Sequence, residues 1–148
     1  MPSTTIVLTI GELAKDASIP GLASNIASWG YRDGRQRTFQ GPLHHLTLVV
    51  SRFLAFRDDT GAHRFVAFVV TNSGSYFGTG VGMHRLMAQG RSGWMFTPAP
   101  CACHLANPAF IGVLVQGSDV VWLEINGPDA TPSLLVRLLD PRRSVVAI

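Results

Sequence analysis

The stretch RFVAFVVTNSGSYFGTGVGMHRLMAQG, from Arg64 to Gly90, leads from an apolar run through a glycine-rich crossing into a second apolar segment. Its first part, Phe65 to Val70, is rich in the β-branched and aromatic residues that favour strands. Its last part, Met83 to Gln89, predicts a short helix that ends at Gly90. A strand, a glycine loop and a helix start would together expose backbone amides to an anion or a thioester cofactor.

The strongest secondary-structure signal lies just before and inside this stretch. Leu43 to Arg57 and Ala62 to Thr71 are two long β-type runs, and the residues between them, Asp58 to Gly61, have the chemistry of a hairpin turn. Both faces of this predicted hairpin are mainly apolar, as in a sheet that is covered on both sides or held between subunits. Arg52 interrupts one face, and a buried arginine there needs a carboxylate or backbone carbonyls.

The rest of the chain predicts shorter elements around this hairpin. Thr4 to Ile10 is expected to be a buried strand, Gly30 to Pro42 a long loop, and Ile111 to Ile125 a second hairpin. Short helices are expected near the N-terminus, after the glycine crossing and near the C-terminus, where Thr131 is a good N-cap. We therefore predict an α+β fold with a mainly antiparallel sheet built from two hairpins.

The composition predicts one domain, residues 1–148, with more apolar side chain than so small a domain can hide. Hydrophobic residues make up 47% of the chain and charged residues only 14%, against about 25% charged residues in typical soluble domains. No apolar run is long enough to span a bilayer. The excess apolar surface predicts a homo-oligomer or a larger assembly, including incorporation into a larger particle.

The basic residues are scattered, which argues against a nucleic-acid interface. The formal net charge is +3. The nearest approach to a basic patch is Arg32, Arg35 and Arg37, flanked by Tyr31 and Phe39, a mixture that could contact a phosphate backbone. A solvated loop is the favoured interpretation of these residues, so nucleic-acid binding is the weakest of the functional hypotheses.

The cysteines and the first residues predict a cytoplasmic or other intracellular location. Cys101 and Cys103 are too close in sequence for an ordinary stapling disulfide, so they do not imply a secreted disulfide framework. The segment from Met1 to Thr5 lacks a basic region that leads into an apolar one, and we therefore expect no signal peptide.

The crossing YFGTGVGMHRL, from Tyr76 to Leu86, resembles the pyrophosphate-binding turn of the GCN5-related N-acetyltransferases, a glycine-rich loop between a strand and a helix. The resemblance covers about a dozen residues. It implies an acyl-CoA-dependent enzyme in which Gly78, Gly80 and Gly82 hold the cofactor phosphates. The plainer interpretation, which we adopt, is that these glycines allow tight backbone turns and that no cofactor is bound.

A metal site is a second chemical alternative. Cys101, Cys103 and His104 offer two thiolates and an imidazole within a few residues of each other, a donor set that suits zinc, iron or copper. Their Cys-x-Cys spacing differs from that of the usual zinc knuckle, and the chain has no second cysteine pair. Buried free thiols that pack as small hydrophobic side chains are the other interpretation.

Few residues are candidates for acid–base catalysis. Tyr76 and His84 flank the glycine crossing, and Glu124 lies in the second predicted hairpin. They do not form a recognisable catalytic motif, so the sequence leaves open whether the protein is an enzyme.

Two functions follow as hypotheses. The first is a self-associating binding or structural subunit without catalytic activity, which buries apolar sheet surface in an oligomer or assembly. The alternative is a small-molecule enzyme or ligand-binding protein. Its ligand would be acyl-CoA or phosphate at the glycine crossing, or a metal at Cys101, Cys103 and His104.

Overall fold

A computed structural model describes residues 3–43, 46–88, 90–99 and 108–139. Within these ranges, seven strands form one antiparallel sheet in the order β1-β2-β3-β7-β6-β5-β4. The strands are β1 Ser3–Val7, β2 Tyr31–Leu43, β3 Leu46–Phe56, β4 Gly82–Ala88, β5 Arg91–Thr97, β6 Ala109–Gln116 and β7 Asp119–Asn126. The helices are α1 Ile10–Ala14, α2 Leu22–Ser28, α3 Asp59–Thr71, α4 Ser73–Phe77 and α5 Pro132–Leu138. The predicted α+β class with a mainly antiparallel sheet is confirmed.

Helices cover both faces of the sheet. On one face, α1 to α4 pack over a cluster that includes Leu54 and Phe65. On the other face, α5 packs over a cluster that includes Val49 and Leu135. Alternate residues of β3 supply the two clusters, because successive side chains of a strand point to opposite faces. The two-sided apolar character of this strand is therefore satisfied largely within the chain.

The prediction of a strand from Ala62 to Thr71 is wrong, because this segment belongs to helix α3. The side chain of Asp58 accepts a hydrogen bond from the Gly61 N–H at 2.8 Å, so the residues that suggested a hairpin turn are a helix N-cap. The buried apolar side chains recur at helical spacing, at Ala62, Phe65, Val66 and Val69. The composition favoured a strand, but the spacing of the buried positions fits the helix.

The predicted helix from Met83 to Gln89 is also wrong, since β4 occupies this segment and pairs with β5. Leu86 and Ala88 are buried while Met87 between them is 64% exposed, which is the alternation of a strand. The short helix of this region, α4, comes before the glycine crossing rather than after it.

The segment predicted as a loop, Gly30 to Pro42, is mostly strand β2, which lies between β1 and β3. Its polar, arginine-bearing sequence concealed the strand, because β2 is second from the sheet edge and leaves side chains such as Arg35 exposed. The expected N-terminal strand is present as β1, but all five of its residues are exposed, so its predicted burial is wrong.

The predicted second hairpin and the predicted helix near the C-terminus agree with the structure. The second hairpin is β6 with β7, paired from Ala109↔Asn126 to Gln116↔Asp119. Helix α5 is capped by Thr131, whose hydroxyl accepts a hydrogen bond from the Leu134 N–H at 3.1 Å. None of the helices in the described ranges is long and apolar enough to cross a membrane.

Candidate functional site

A row of polar and aromatic side chains crosses the centre of the sheet on the face covered by α1 to α4. The register places Gln36 of β2 beside Arg52 of β3, and Arg52 beside Trp122 of β7. The Arg52 guanidinium carbon lies 5.1 Å from the centre of the Trp122 ring, within the range of a cation–π contact. The row therefore fixes an arginine over an aromatic surface inside the domain.

Asp16, in the turn after α1, completes this arrangement. Its carboxylate accepts two hydrogen bonds from the Arg52 guanidinium, at 2.5 and 3.1 Å. The Arg52 Nε–H donates to the Gln36 side-chain oxygen at 2.7 Å. The side chains of Arg52 and Asp16 are only 14% and 18% exposed. This mostly buried, two-point ion pair ties α1 to the sheet.

Helix α4 supplies the aromatic wall beside the ion pair. The Phe77 ring lies 5.6 Å from the Trp122 ring and 4.6 Å from the Phe96 ring, measured between centroids. The Tyr76 ring lies 6.3 Å from Trp122. These separations are typical of aromatic pairs in protein cores, so α4 is anchored to the sheet by its two aromatic residues.

The hydroxyl of Tyr76 is buried and has no hydrogen-bond partner in the described part of the chain. Burial raises the pKa of this phenol well above its ordinary value, the charge of Asp16 raises it further, and the charge of Arg52 opposes the shift. Tyr76, like an ordinary tyrosine, is a neutral phenol at physiological pH, and its raised pKa keeps it neutral to higher pH. It offers one donor and free acceptor capacity inside the protein.

These residues enclose a cleft of about 130 Å³, named here the Arg52 cleft. Its lining consists of Asp16, Val50, Arg52, Tyr76, Phe77, Trp122 and Glu124. One wall is aromatic and the other carries the ion pair. The cleft is large enough for a small ligand, because apolar cavities of roughly 150 Å³ accept benzene-sized molecules.

Two of the three candidate catalytic residues, Tyr76 and Glu124, meet in this cleft. His84 does not join them. It is exposed on β4 and pairs with Met95, a residue that packs on the α5 side of the sheet. The side chain of His84 therefore lies on the face opposite to the cleft.

Gly78 and Gly80 turn the chain between α4 and β4 with left-handed backbone conformations, at φ values of 96° and 83°. Gly82 is already the first residue of β4. The helix start that the acetyltransferase resemblance implies is absent, because a strand follows the glycines. Phosphate or acyl-CoA binding at this crossing stays a prediction without the helix N-terminus that motivated it.

The proposed metal ligands Cys101, Cys103 and His104 lie outside the described residues. Within the described ranges, no group of three or more His, Cys, Asp or Glu side chains is placed to hold a metal ion. Metal binding by the three residues therefore stays a prediction.

The sequence predicts that Arg52 needs a partner, but it does not identify Asp16 as that partner. The two residues are 36 positions apart, and no local pattern links them. A mostly apolar strand interrupted by one arginine was the available signal, and it indicated only that a buried Arg52 needs a carboxylate or backbone carbonyls.

No family model and no curated protein matches the chain. Among solved structures, the extracellular domain of PknH from Mycobacterium tuberculosis matches 88% of this chain and 75% of its own length, with 14% sequence identity and a TM-score of 0.47. That domain is extracellular, in contrast to the intracellular location that the sequence predicts for this chain. We withdraw that prediction and assign no other location.

Proposed function

We propose that the protein is a self-associating subunit without catalytic activity that pairs with a second copy of itself through the edge strand β1. The distribution of exposed apolar side chains supports this proposal. Four of the six large hydrophobic side chains that are exposed in the described residues lie on the two edge strands of the sheet. They are Ile6 and Val7 on β1, and Met83 and Met87 on β4.

The chemistry of β1 favours pairing with an identical strand. Ser3–Val7 contains no charged residue and no proline, two of the features by which natural edge strands avoid further pairing. Strand β4, at the other edge, carries His84 and Arg85. The β1 strand of a second copy could pair here without charge repulsion, and no proline removes a backbone N–H donor. Strand β1 is therefore the favoured edge.

The hydrogen-bond pattern of β1 suits a symmetric pair. The Leu8 N–H donates to the Gly34 carbonyl at 2.8 Å. Because facing directions alternate along an antiparallel strand, the even-numbered backbone groups face β2 and those of Ser3, Thr5 and Val7 face the free edge. Two antiparallel copies of β1 can thus pair about a twofold axis at Thr5, with Ser3 opposite Val7.

Absence of catalysis is part of the proposal. Asp16 is held by Arg52, Tyr76 is a neutral phenol whose pKa is raised further, and Glu124 has interactions of its own. His84 lies on the opposite face of the sheet from these three residues. These positions do not offer the matched acid and base that catalysis needs. The Arg52 cleft is the feature that favours ligand binding, the alternative hypothesis.

The test compares one added charge at each edge of the sheet. Val7 and Met87 are 62% and 64% exposed, so Val7→Lys and Met87→Lys are closely matched. We expect sedimentation velocity to show a monomer–dimer equilibrium with a dissociation constant of roughly tens of micromolar, since one short strand pair buries less than a standard interface of about 1,600 Å². Val7→Lys should weaken this equilibrium about tenfold or more, while Met87→Lys should leave it unchanged.

Thr5→Pro provides a second variant, because it removes an outward N–H without touching the β1–β2 hydrogen bonds. It should also abolish the dimer. A wild-type chain that stays monomeric up to several hundred micromolar would refute self-association, and a stronger effect of Met87→Lys than of Val7→Lys would refute the assignment to β1.

A further inference from the structure

We propose that strand β4, at the edge of the sheet opposite to β1, binds an extended segment of a different protein that carries an acidic side chain between two apolar ones. The segment adds to the sheet as one further antiparallel strand, which is a recurring mode of peptide recognition. This inference does not depend on self-association through β1. It follows from the side chains, the charge and the outward backbone groups of β4.

The side chains of β4 form an exposed stripe with a positive charge at its centre. Met83 and Met87 are 40% and 64% exposed, and Arg85 between them is exposed as well. The three side chains lie on the same face of the sheet, because every second side chain of a strand points to the same side. Methionine is flexible enough to pack against apolar side chains of different shapes. The stripe therefore offers one apolar contact on each side of a cation.

Arg85 is held in place but has no carboxylate. Its guanidinium carbon lies 4.8 Å from the centre of the Trp94 ring, and Trp94 is its cross-strand partner on β5. A guanidinium that stacks on a ring keeps the N–H groups at its edge for a planar carboxylate. In the part of the chain that the structure describes, Arg85 forms no salt bridge, and β4 and β5 contain no Asp or Glu. A partner's acidic side chain is therefore the counter-charge that suits this position.

The outward backbone groups of β4 belong to the same three residues. Ala88 pairs with Arg91, so two residues connect β4 to β5. In a two-residue hairpin the flanking pair exchanges both backbone hydrogen bonds, and bonded pairs then alternate along the ladder. The backbone groups of the even-numbered residues of β4 therefore face β5, and those of Met83, Arg85 and Met87 face the free edge. A strand that bonds to them has its own side chains opposite the stripe.

The charge of β4 selects a different protein rather than a second copy. Two antiparallel β4 strands that pair about a twofold axis at Arg85 would place two guanidinium groups opposite each other, and like charges in that position are destabilising. His84 is the neighbour of Arg85, and β4 has no acidic residue to offset either side chain. A glutamate opposite Arg85 is attractive instead. Complementarity of this kind determines which partner binds more than how tightly it binds.

The experiment titrates the full chain with the synthetic peptide acetyl-Thr-Val-Thr-Glu-Thr-Val-Thr-amide, whose valines match the two methionines and whose glutamate matches Arg85. Nuclear magnetic resonance of the indole N–H signals follows binding, since Trp94 contacts Arg85, whereas Trp29 packs on Phe68 and Trp122 contacts Arg52. We expect the Trp94 signal to shift saturably with a dissociation constant of roughly 0.1–1 mM, because a short flexible peptide loses conformational freedom on binding. The other two signals should move little.

A charge exchange and a backbone change make the result specific. The peptide with lysine in place of glutamate should bind the wild-type chain about three- to tenfold more weakly, and Arg85→Glu should reverse this preference. N-methylation of the peptide's central glutamate removes an N–H that strand addition uses and should also weaken binding. Val7→Lys, at the other edge of the sheet, is the control. It should bind the glutamate peptide as the wild type does, whatever its effect on self-association.

Several outcomes would overturn the proposal. One is a Trp94 signal that does not respond at peptide concentrations about tenfold above the expected dissociation constant. Equal binding of the glutamate and lysine peptides at matched ionic strength would exclude recognition by Arg85, and equal binding of the N-methylated peptide would exclude strand addition. Loss of binding in Val7→Lys would place the peptide at β1 instead. Because the peptide comparisons need no mutation, the test remains decisive even if Arg85→Glu folds poorly.

Discussion

Arg52 and Asp16, which are 36 residues apart in the chain, form a two-point ion pair at 2.5 and 3.1 Å between the centre of the sheet and the turn after α1. Both side chains are more than four-fifths buried. Forming such a pair costs desolvation energy. Removing one partner destabilises the fold strongly, because the other charge is then left buried without compensation.

We predict that Arg52→Met lowers the free energy of unfolding by about 3–5 kcal/mol. Asp16→Asn should do the same in part. The double variant should be more stable than the sum of the two single losses implies, because neither charge is then left alone. Urea denaturation of the four proteins measures the coupling.

Lys15→Met, which breaks the exposed pair with Glu12, is the control and should change stability little. Additive losses from the two buried substitutions would contradict the pairing.

Arg52 also shows which features of the candidate site can be predicted from the sequence and which cannot. One charged residue in a mostly apolar strand was enough to predict that Arg52, if buried, needs a carboxylate or backbone carbonyls, since an unpaired buried charge is costly. The sequence could not identify Asp16 as the partner, because the contact between Arg52 and Asp16 depends on how α1 packs against the sheet. The same holds for the cleft, whose members come from a turn, two strands and a helix.

The fold class was predictable for a similar reason, and the errors have a common cause. The β6–β7 hairpin and the cap at Thr131 were predicted because turn and cap chemistry are local. In α3 and β4, composition pointed one way and the spacing of buried positions the other. The spacing of the buried positions agrees with the observed structure, because it reflects which face of the helix or strand packs against the core. In β2, the position next to the sheet edge allowed a polar strand that local patterns describe as a loop.

The two tyrosines of the chain predict an unusual alkaline titration. Burial and, to a smaller extent, the charge of Asp33 raise the pKa of Tyr31 to about 12, although the charge of Arg52 opposes this shift. The pKa of Tyr76 is raised as well. The unfolded phenols ionise near pH 10. Between about pH 10 and 12 the folded state therefore holds more protons than the unfolded state, and the free energy of unfolding should fall as the pH rises.

Absorbance at 295 nm measures this directly. At pH 11 the native chain should show little phenolate, whereas the same chain in concentrated urea should ionise both tyrosines near pH 10. Tyr76→Phe leaves Tyr31 as the only phenol and should titrate near pH 12. Native ionisation near pH 10 in that variant would show that the Tyr31 ring is not buried against the protein as described.

Gly61 and Gly74 give a test of how closely α2 and α3 approach. Both glycines are helical, and neither needs a left-handed backbone. A Cβ added at Gly61 would lie 1.9 Å from the Trp29 carbonyl oxygen, while a Cβ at Gly74 would meet nothing within 4 Å. We predict that Gly61→Ala costs about 2–3 kcal/mol, since the end of α2 must move away from α3. Gly74→Ala should be neutral or stabilise by up to about 1 kcal/mol, because alanine is the better helix former. Chemical denaturation of the two variants measures both effects. A Gly61→Ala variant as stable as the wild type would mean that α3 does not begin against the carbonyl of Trp29, and the placement of α2 over the sheet would have to be revised.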